Sequence, residues 1–287
     1  MPLGIPTLII ADDPQLIAAA RAAYAHWCMV APAAEPQIEL RLAIGRASSE
    51  SVSLGISVEG SCLRLGGDGV CGTADAAERK ASATIAPEIA KDAARFADVC
   101  DTLLLFILAR NGRTPVHSAA FLLGGLALVL AGPSGSGKST LALAAAERGY
   151  PVLSDDTVFV QREPSFRLWG FPRPIHVYPA DAPAGVHPIR NRGGKLKAAL
   201  AVDAPALSAG RAALVLLERG AEVALSPAAP AEVVEALMDL DAGFDLLAAE
   251  SRAALQALAL EGAWRLTLAK DPVAAIAALR AGFAAPQ

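Results

Sequence analysis

The ten residues 131–140, AGPSGSGKST, constrain this chain more than any other stretch. They match the pattern Gly-x-x-x-x-Gly-Lys-Ser/Thr from Gly132 to Ser139, and they follow the apolar run 126–131 and precede a leucine- and alanine-rich segment. Between a strand and a helix, this pattern binds nucleotide phosphates, because the backbone N–H groups of the loop and the helix N-terminus both face the anion. The sequence therefore predicts a nucleotide-binding loop.

Each polar residue of this loop has an expected task. Lys138 supplies a compact positive charge to the β and γ phosphate oxygens, the Ser139 hydroxyl ligates Mg²⁺, and Thr140 can contact the α-phosphate. ATP and Mg²⁺ are the cofactors that follow from the pattern. The predicted nucleotide-binding residues are Gly132, Ser134, Gly135, Ser136, Gly137, Lys138, Ser139 and Thr140.

Two adjacent acids, Asp155 and Asp156, end the short strand predicted at 151–154. In a parallel sheet with a helical crossover, this strand can lie beside the strand that precedes the loop, and both strand ends then face the terminal phosphate. One carboxylate would steer Mg²⁺ and the other would accept the proton of an attacking hydroxyl. Aspartate also favours strand ends in ordinary turns, but after a complete phosphate loop we prefer the functional interpretation.

Two other features are candidates for the site. His117 precedes the predicted hairpin that leads into the loop, and it approaches the phosphates if that hairpin packs beside the loop. Arg173 lies between Pro172 and Pro174, which hold it extended, so that it can reach a phosphate or a carboxylate. The basic segment 190–197 suits a loop that closes over nucleotide or binds an acidic substrate. A solvated surface loop is an equal interpretation for Arg173 and for this segment.

The composition excludes several classes of protein. Hydrophobic residues make up 54% and charged residues 19%, as in globular proteins, and a net charge of −4 gives no basic field for nucleic acid. The N-terminus lacks the basic segment of a signal peptide, and the longest apolar run, 119–132, is too short to span a bilayer. The four cysteines form no Cys-x-x-Cys pair, which favours buried thiols. We expect a cytoplasmic protein that binds neither nucleic acid nor membrane.

Periodicity and chain breakers predict two domains. Residues 1–95 form a small α+β domain of unknown role, and a long helix over 86–112 joins it to residues 96–287, an α/β domain. A Gly124-Gly125 turn predicts a hairpin before the loop. The other elements expected are a helix at 13–27, strands at 37–44, 51–69 (two), 81–87 and 211–219, and helices near 138–148, 230–258 and 272–283.

A Val-His pair before a hairpin, then GPSGSGKSTLAL, then ERGYPVLSDD, resembles the catalytic domain of HPr serine kinase/phosphorylase. The likeness is closer still to HPr-kinase-related proteins with a different N-terminal part, and it covers roughly residues 100–180. It implies an α/β fold with a P-loop kinase core of the HPr kinase/phosphoenolpyruvate carboxykinase type. It also implies that Asp155 is the base, that Asp156 helps to hold Mg²⁺ with Ser139, and that His117 and Lys138 lie at the phosphates.

The activity implied by this resemblance is that of an ATP-dependent kinase for a serine hydroxyl of a protein or peptide. Relatives of this type include tailoring kinases that phosphorylate a serine near the C-terminus of a lasso-peptide precursor, although no residue here selects that target. The Pro-Gly-Arg-type signature of the bifunctional enzyme is not found after the loop. Two alternatives remain open, a nucleotide-binding ATPase switch and a kinase for a small-molecule hydroxyl such as free serine. A homo-oligomer also stays open.

Overall fold

The computed structural model describes residues 1–28, 35–45, 55–179, 182, 186, 189–190, 196–202, 205–239 and 247–283. It is a mixed α/β protein that divides into two compact units, Met1–Arg113 and Thr114–Gln287. Within the described ranges, no helix combines the length and the hydropathy that crossing a bilayer requires.

The described part of the first unit forms one six-stranded sheet and four α-helices, after a short 3₁₀ helix at Pro2–Gly4. The sheet order is β1-β2-β6-β5-β4-β3, in which β1, β2 and β6 run parallel and the remaining neighbours antiparallel. The strands are β1 (Thr7–Ala11), β2 (Ile38–Ile44), β3 (Gly55–Glu59), β4 (Cys62–Gly67), β5 (Val70–Asp75) and β6 (Lys80–Ile85). The helices are α1 (Pro14–Ala23), α2 (Ala25–Cys28), α3 (Pro87–Lys91) and α4 (Ala93–Arg110).

An aspartate cap divides the single helix expected over 86–112 into α3 and α4. Oδ1 of Asp92 accepts hydrogen bonds from the backbone N–H groups of Ala94 and Arg95, each at 3.1 Å. These N–H groups have no partner inside the helix, so the cap satisfies two of the orphan donors at the start of α4. The backbone of Asp92 is extended and therefore ends α3.

The boundary between the units lies after Arg113, beyond the expected position near residue 95. Helix α4 is part of the first unit, because it packs on the sheet at Gly72 of β5. The contact is so close that a Cβ on Gly72 would lie 3.4 Å from Cδ1 of Leu103. After the helix, Nε of Arg113 donates a 2.7 Å hydrogen bond to the Leu3 carbonyl. The helix was expected to join two domains, but it packs on the sheet of the first.

The cysteines do not all follow the expected burial. Cys100 is buried, whereas Cys62 and Cys71 are exposed. Strand β4 alternates, and because Leu63 and Leu65 are buried, the side chain of Cys62 is on the opposite face of the sheet. Side-chain alternation overrides the preference of cysteine for the interior here.

The described part of the second unit forms a six-stranded, a four-stranded and a three-stranded sheet and four α-helices. The strand orders are β10-β8-β9-β17-β19-β18, β16-β12-β11-β7 and β13-β15-β14. The strands are β7 (Thr114–His117), β8 (Ala119–Leu123), β9 (Leu126–Ala131), β10 (Val152–Ser154), β11 (Thr157–Gln161), β12 (Arg167–Trp169), β13 (Ile175–Val177), β14 (Ile189–Arg190), β15 (Leu196–Leu200), β16 (Ser208–Ala209), β17 (Ala212–Arg219), β18 (Ala224–Pro227) and β19 (Ala263–Leu268). The helices are α5 (Lys138–Ala146), α6 (Pro230–Met238), α7 (Ala248–Glu261) and α8 (Pro272–Phe283).

The strand β9 lies in the middle of the largest sheet and is covered on both faces. Leu128 and Leu130 join one apolar cluster with residues of α5 and α8, and Val129 joins another with residues of α6 and α7. All three side chains are fully buried, and each contributes about 1.5–3 kcal/mol by leaving water. The loop that follows β9 therefore begins from a rigid strand.

The hairpin forms as expected, but it changes the predicted position of β10. Gly124 and Gly125 turn with φ of 57° and 84° between β8 and β9. Strand β9 has β8 on one side and β17 on the other, so β10 does not lie beside β9 as predicted and pairs with β8 instead. Because β9 and β10 are both antiparallel to β8, they run in the same direction and their C-terminal ends reach the same edge of the sheet.

Candidate functional site

The glycine loop connects the C-terminal end of β9 to the N-terminal end of α5, and its glycines are sterically required. Gly132 has φ of 152°, and a Cβ there would lie 2.9 Å from the carbonyl oxygen of Leu217 in β17. Gly135 and Gly137 have φ of 81° and 110°, which side chains rarely tolerate. Two of the glycines thus set the turn and the third also lets the loop lie against β17.

Lys138 is the buried cation of this loop. It begins α5, is only 7% exposed, and its Nζ donates hydrogen bonds to the carbonyls of Gly132 at 2.7 Å and Pro133 at 3.2 Å. A lysine is almost never buried unless its charge is paired or hydrogen-bonded. Its position at the helix N-terminus adds a full charge to the partial positive charge of the helix end.

The hydroxyl-bearing residues of the loop differ in burial. Ser136 is buried, and its Oγ has no hydrogen-bond partner within the described part of the chain. Ser139 and Thr140 are half-buried in the first turn of α5, and Ser134 is exposed. An unsatisfied buried hydroxyl costs about 1–3 kcal/mol, so Oγ of Ser136 is suited to hydrogen-bond a bound ligand.

Asp155 is buried at the end of β10, and its two carboxylate oxygens have different environments. Oδ2 accepts a 2.7 Å hydrogen bond from the backbone N–H of His176, whereas Oδ1 is buried without a hydrogen-bond partner among the described residues. Burial raises the pKa of this carboxyl above its usual value, and the His176 N–H and the Ser139 hydroxyl each lower it in part. The contribution of Ser139 means that this carboxyl and the first turn of α5 are close neighbours.

The segment that carries His176 reaches Asp155 through a close backbone crossing. A Cβ on Gly170 would collide with the backbone carbonyl of Leu153, the residue two before Asp155. Only glycine lets this segment pass so near to β10, and β13 follows five residues later. Among the described strands, β13 pairs with β15 alone, so the N–H of His176 on its outer edge is available to the carboxylate.

Asp156 and His117 form the exposed part of the site. Their side chains are 77% and 42% exposed, and Nδ1 of His117 lies 3.5 Å from Oδ1 of Asp156. The pairing of β7 with β11 places His117 opposite Thr157, next to Asp156 in the chain, and the backbone N–H of Ser118 bonds to the Asp156 carbonyl at 3.0 Å. The two acids expected to act together thus have different surroundings, one buried and one solvated.

The structure describes the contacts of Arg173 and of only part of the basic segment 190–197. The guanidinium of Arg173 lies over the Phe171 ring, with Cζ 4.6 Å from the centroid, and its Nη1 donates to the Pro172 carbonyl at 3.2 Å. Nζ of Lys197 lies 5.5 Å from the centroid of the Tyr178 ring. Arg192 and Lys195 are outside the described residues, as is the side chain of Arg190.

Two residues of this region were not found from the sequence. His176 acts through its backbone N–H, for which a sequence carries no signal. Arg219 is the last residue of the correctly expected strand β17, and its Nη2 donates to the Gly135 carbonyl at 3.2 Å. The sequence predicts the strand that ends at Arg219, but only the structure places that strand end beside the loop.

The donor and acceptor set of the region suits a nucleotide with Mg²⁺. Buried polar groups normally have a hydrogen-bond partner. Oγ of Ser136 and Oδ1 of Asp155 are buried, yet neither finds a partner among the described residues. Hydroxyl and carboxylate oxygens are the ligands that Mg²⁺ takes beside phosphates, and the loop N–H groups with Lys138 suit the anion. These residues fit the group that the loop pattern predicts.

Comparisons with known proteins give little further guidance. No protein-family model matches the sequence, and no curated protein matches it significantly. Among solved structures, the chain is similar to the HPr(Ser) kinase/phosphatase from Coxiella burnetii, with 12% identity, a TM-score of 0.31, and coverage of 59% of this chain and 96% of that one. The TM-score is too low for this distant likeness to support a statement about the present chain, whose candidate function therefore depends on its own geometry.

Proposed function

We propose that this chain is an ATP-dependent kinase that transfers the γ-phosphoryl group of ATP to a serine-type hydroxyl of a protein or peptide. The observation that carries the proposal is the state of Asp155, which is buried, fixed through one oxygen and next to Ser139 of the loop, and whose other oxygen has no hydrogen-bond partner in the described part of the chain. A buried carboxylate with a perturbed pKa in a polar cluster is typical of a functional group rather than a structural one.

Asp155 acts as the general base. Its Oδ1 accepts the proton of the acceptor hydroxyl as the acceptor oxygen forms its bond to the γ-phosphorus. The bond from that phosphorus to the β–γ bridging oxygen breaks, and ADP leaves. The raised pKa of Asp155 brings the base nearer to neutral pH and so improves its match to proton transfer.

Lys138 and the loop N–H groups bind the phosphates and stabilise the charge of the transferring group. The residues that would hold Mg²⁺ are Ser139 and Asp156, and the ion would supply neutralising charge to the phosphate oxygens. His117, 3.5 Å from Asp156, orients that carboxylate. Asp156 is exposed, in keeping with a ligand that acts through metal-bound water.

The test is incubation of the purified protein with Mg²⁺, γ-labelled ATP and candidate acceptors, namely serine-containing peptides, HPr and free serine, with the label located by mass spectrometry. Label on a serine of a peptide or protein supports the proposal, and label on free serine alone would make the chain a small-molecule kinase. Steady ATP hydrolysis without labelled acceptor would favour an ATPase switch. The variant Lys138→Ala is the negative control for every arm.

A further inference from the structure

The strand β17 extends past its neighbour β9 and contacts the phosphate loop. The parallel register pairs Leu216 of β17 with Ala131, the last residue of β9. On this side of β17, the three residues that follow, up to Arg219, lie beside the loop, while on the other side they still pair with β19. The Leu217 carbonyl already bounds the space at Gly132, so the loop rests on the end of β17.

The side chains at this strand end are directed to different partners. Oε1 of Glu218 accepts a 2.7 Å hydrogen bond from Nη1 of Arg265 on β19. Nη2 of Arg219 donates to the Gly135 carbonyl at 3.2 Å, and the same atom would lie 3.2 Å from a Cβ on Gly137. The guanidinium of Arg219 thus covers the loop from Gly135 to Gly137.

Two cations bind three carbonyls of the loop. Lys138 binds those of Gly132 and Pro133, and Arg219 binds that of Gly135. A carbonyl oxygen that turned toward a phosphate would repel it, whereas the N–H groups attract it. A charge-assisted hydrogen bond from Arg219 stabilises the Gly135 carbonyl in its present direction.

We propose that Arg219 is a positioning residue of the phosphate loop, which holds the Gly135 carbonyl and so keeps the loop in the form that accepts nucleotide phosphates. The inference rests on the proposed nucleotide binding and adds a residue to that same site. Arg219 therefore acts on the conformation of the loop and not on the chemical step. It strengthens the binding of the phosphate groups of the nucleotide and not the binding of its base or sugar.

The test measures the dissociation constants of ATP, ADP and adenosine by calorimetry for the wild-type chain, Arg219→Gln and Arg219→Lys. We expect Arg219→Gln to raise the dissociation constants of ATP and ADP about fivefold to tenfold, as for the loss of one charge-assisted hydrogen bond on a solvated loop. Arg219→Lys keeps the charge and should recover part of the loss, while adenosine binding and the melting temperature without ligand should hardly change. Arg265→Gln makes the same charge change on a neighbouring strand and should bind ATP as the wild type does.

The inference is overturned if Arg219→Gln binds ATP within twofold of the wild type, or if Arg265→Gln loses as much affinity. Equal losses for ATP and adenosine with a lower melting temperature would also overturn it, because they indicate a purely structural role. A wild-type chain that binds no ATP would instead refute the proposed function, and the inference with it, before any variant is compared.

Discussion

The backbone N–H of His176 donates a 2.7 Å hydrogen bond to Oδ2 of Asp155. It fixes one oxygen of the proposed base and leaves Oδ1 for the acceptor hydroxyl. Since the donor belongs to the backbone, its effect can be separated from that of the imidazole by the choice of substitution.

The variant His176→Pro removes this N–H, and His176→Ala keeps it. Strand β13 is an edge strand, where proline is tolerated, so both variants should fold. We expect His176→Pro to lower kcat about tenfold or more, as for a lost hydrogen bond to a charged group. Its affinity for ATP should stay within about twofold of the wild-type value. Steady-state kinetics and circular dichroism check this. Equal losses in His176→Ala would show that the imidazole matters and not the N–H.

The variant Asp155→Asn should abolish phosphoryl transfer and largely keep ATP binding, because the amide cannot accept the proton. Labelled-ATP transfer and calorimetry measure the two quantities. A variant that still transferred phosphate at the wild-type rate would remove Asp155 from the role of base. Nucleotide-dependent binding of a partner protein that survived in the inactive variant would instead favour the switch.

The same substitution should stabilise the protein free of Mg²⁺ and nucleotide. Burial raises the folded-state pKa of Asp155 above 3.8, so the folded protein binds the proton more tightly than the unfolded chain. The ionised carboxylate therefore costs stability above the raised pKa, and this cost disappears as the pH falls toward 3.8. At neutral pH we therefore expect Asp155→Asn to have a higher melting temperature than the wild type. The difference from wild type should shrink on acidification, and a difference that grew would contradict the pKa direction.

Removal of the buried cation by Lys138→Ala should weaken ATP binding by about a hundredfold or more, since a buried charge-assisted interaction with the phosphates is lost. Lys270 is exposed in the same unit, so Lys270→Ala makes the same change in net charge and should leave the affinity unchanged. Calorimetric titration with ATP provides the comparison. An unchanged affinity in Lys138→Ala would refute nucleotide binding at this loop.

Two glycine-to-alanine variants distinguish the cost of a positive φ from the cost of a steric clash with the added Cβ. A Cβ on Gly124 meets no atom within 4 Å, so Gly124→Ala pays only for its positive φ of 57°, roughly 1–2 kcal/mol. A Cβ on Gly132 would meet the Leu217 carbonyl at 2.9 Å, and this strain adds about 1–3 kcal/mol. Urea unfolding should show the larger loss in Gly132→Ala, which alone should also lose ATP affinity. Equal effects would mean that the loop moves freely away from β17.

Much of the local structure of the site was accessible from residue types alone. The Gly124-Gly125 hairpin, the glycine loop and α5 appear at or near their expected positions. Positive-φ glycines and the first turn of a helix depend on residues within a few positions of one another, and a sequence displays such local requirements directly. The roles of Lys138, Ser139 and Asp156 remain predictions from the same pattern.

Only the tertiary structure decided the surroundings of the two acids. The sequence presents Asp155 and Asp156 as equals, but Asp155 is 7% exposed, whereas the side chain of Asp156 is 77% exposed. The contacts that set this region join residues far apart in the chain, since His176 is 21 residues after Asp155 and Arg219 is 84 residues after Gly135. Strand order and burial arise from the packing of whole elements, so neither the displacement of β10 by β8 nor the asymmetry of the acids could be read from their neighbours in the sequence.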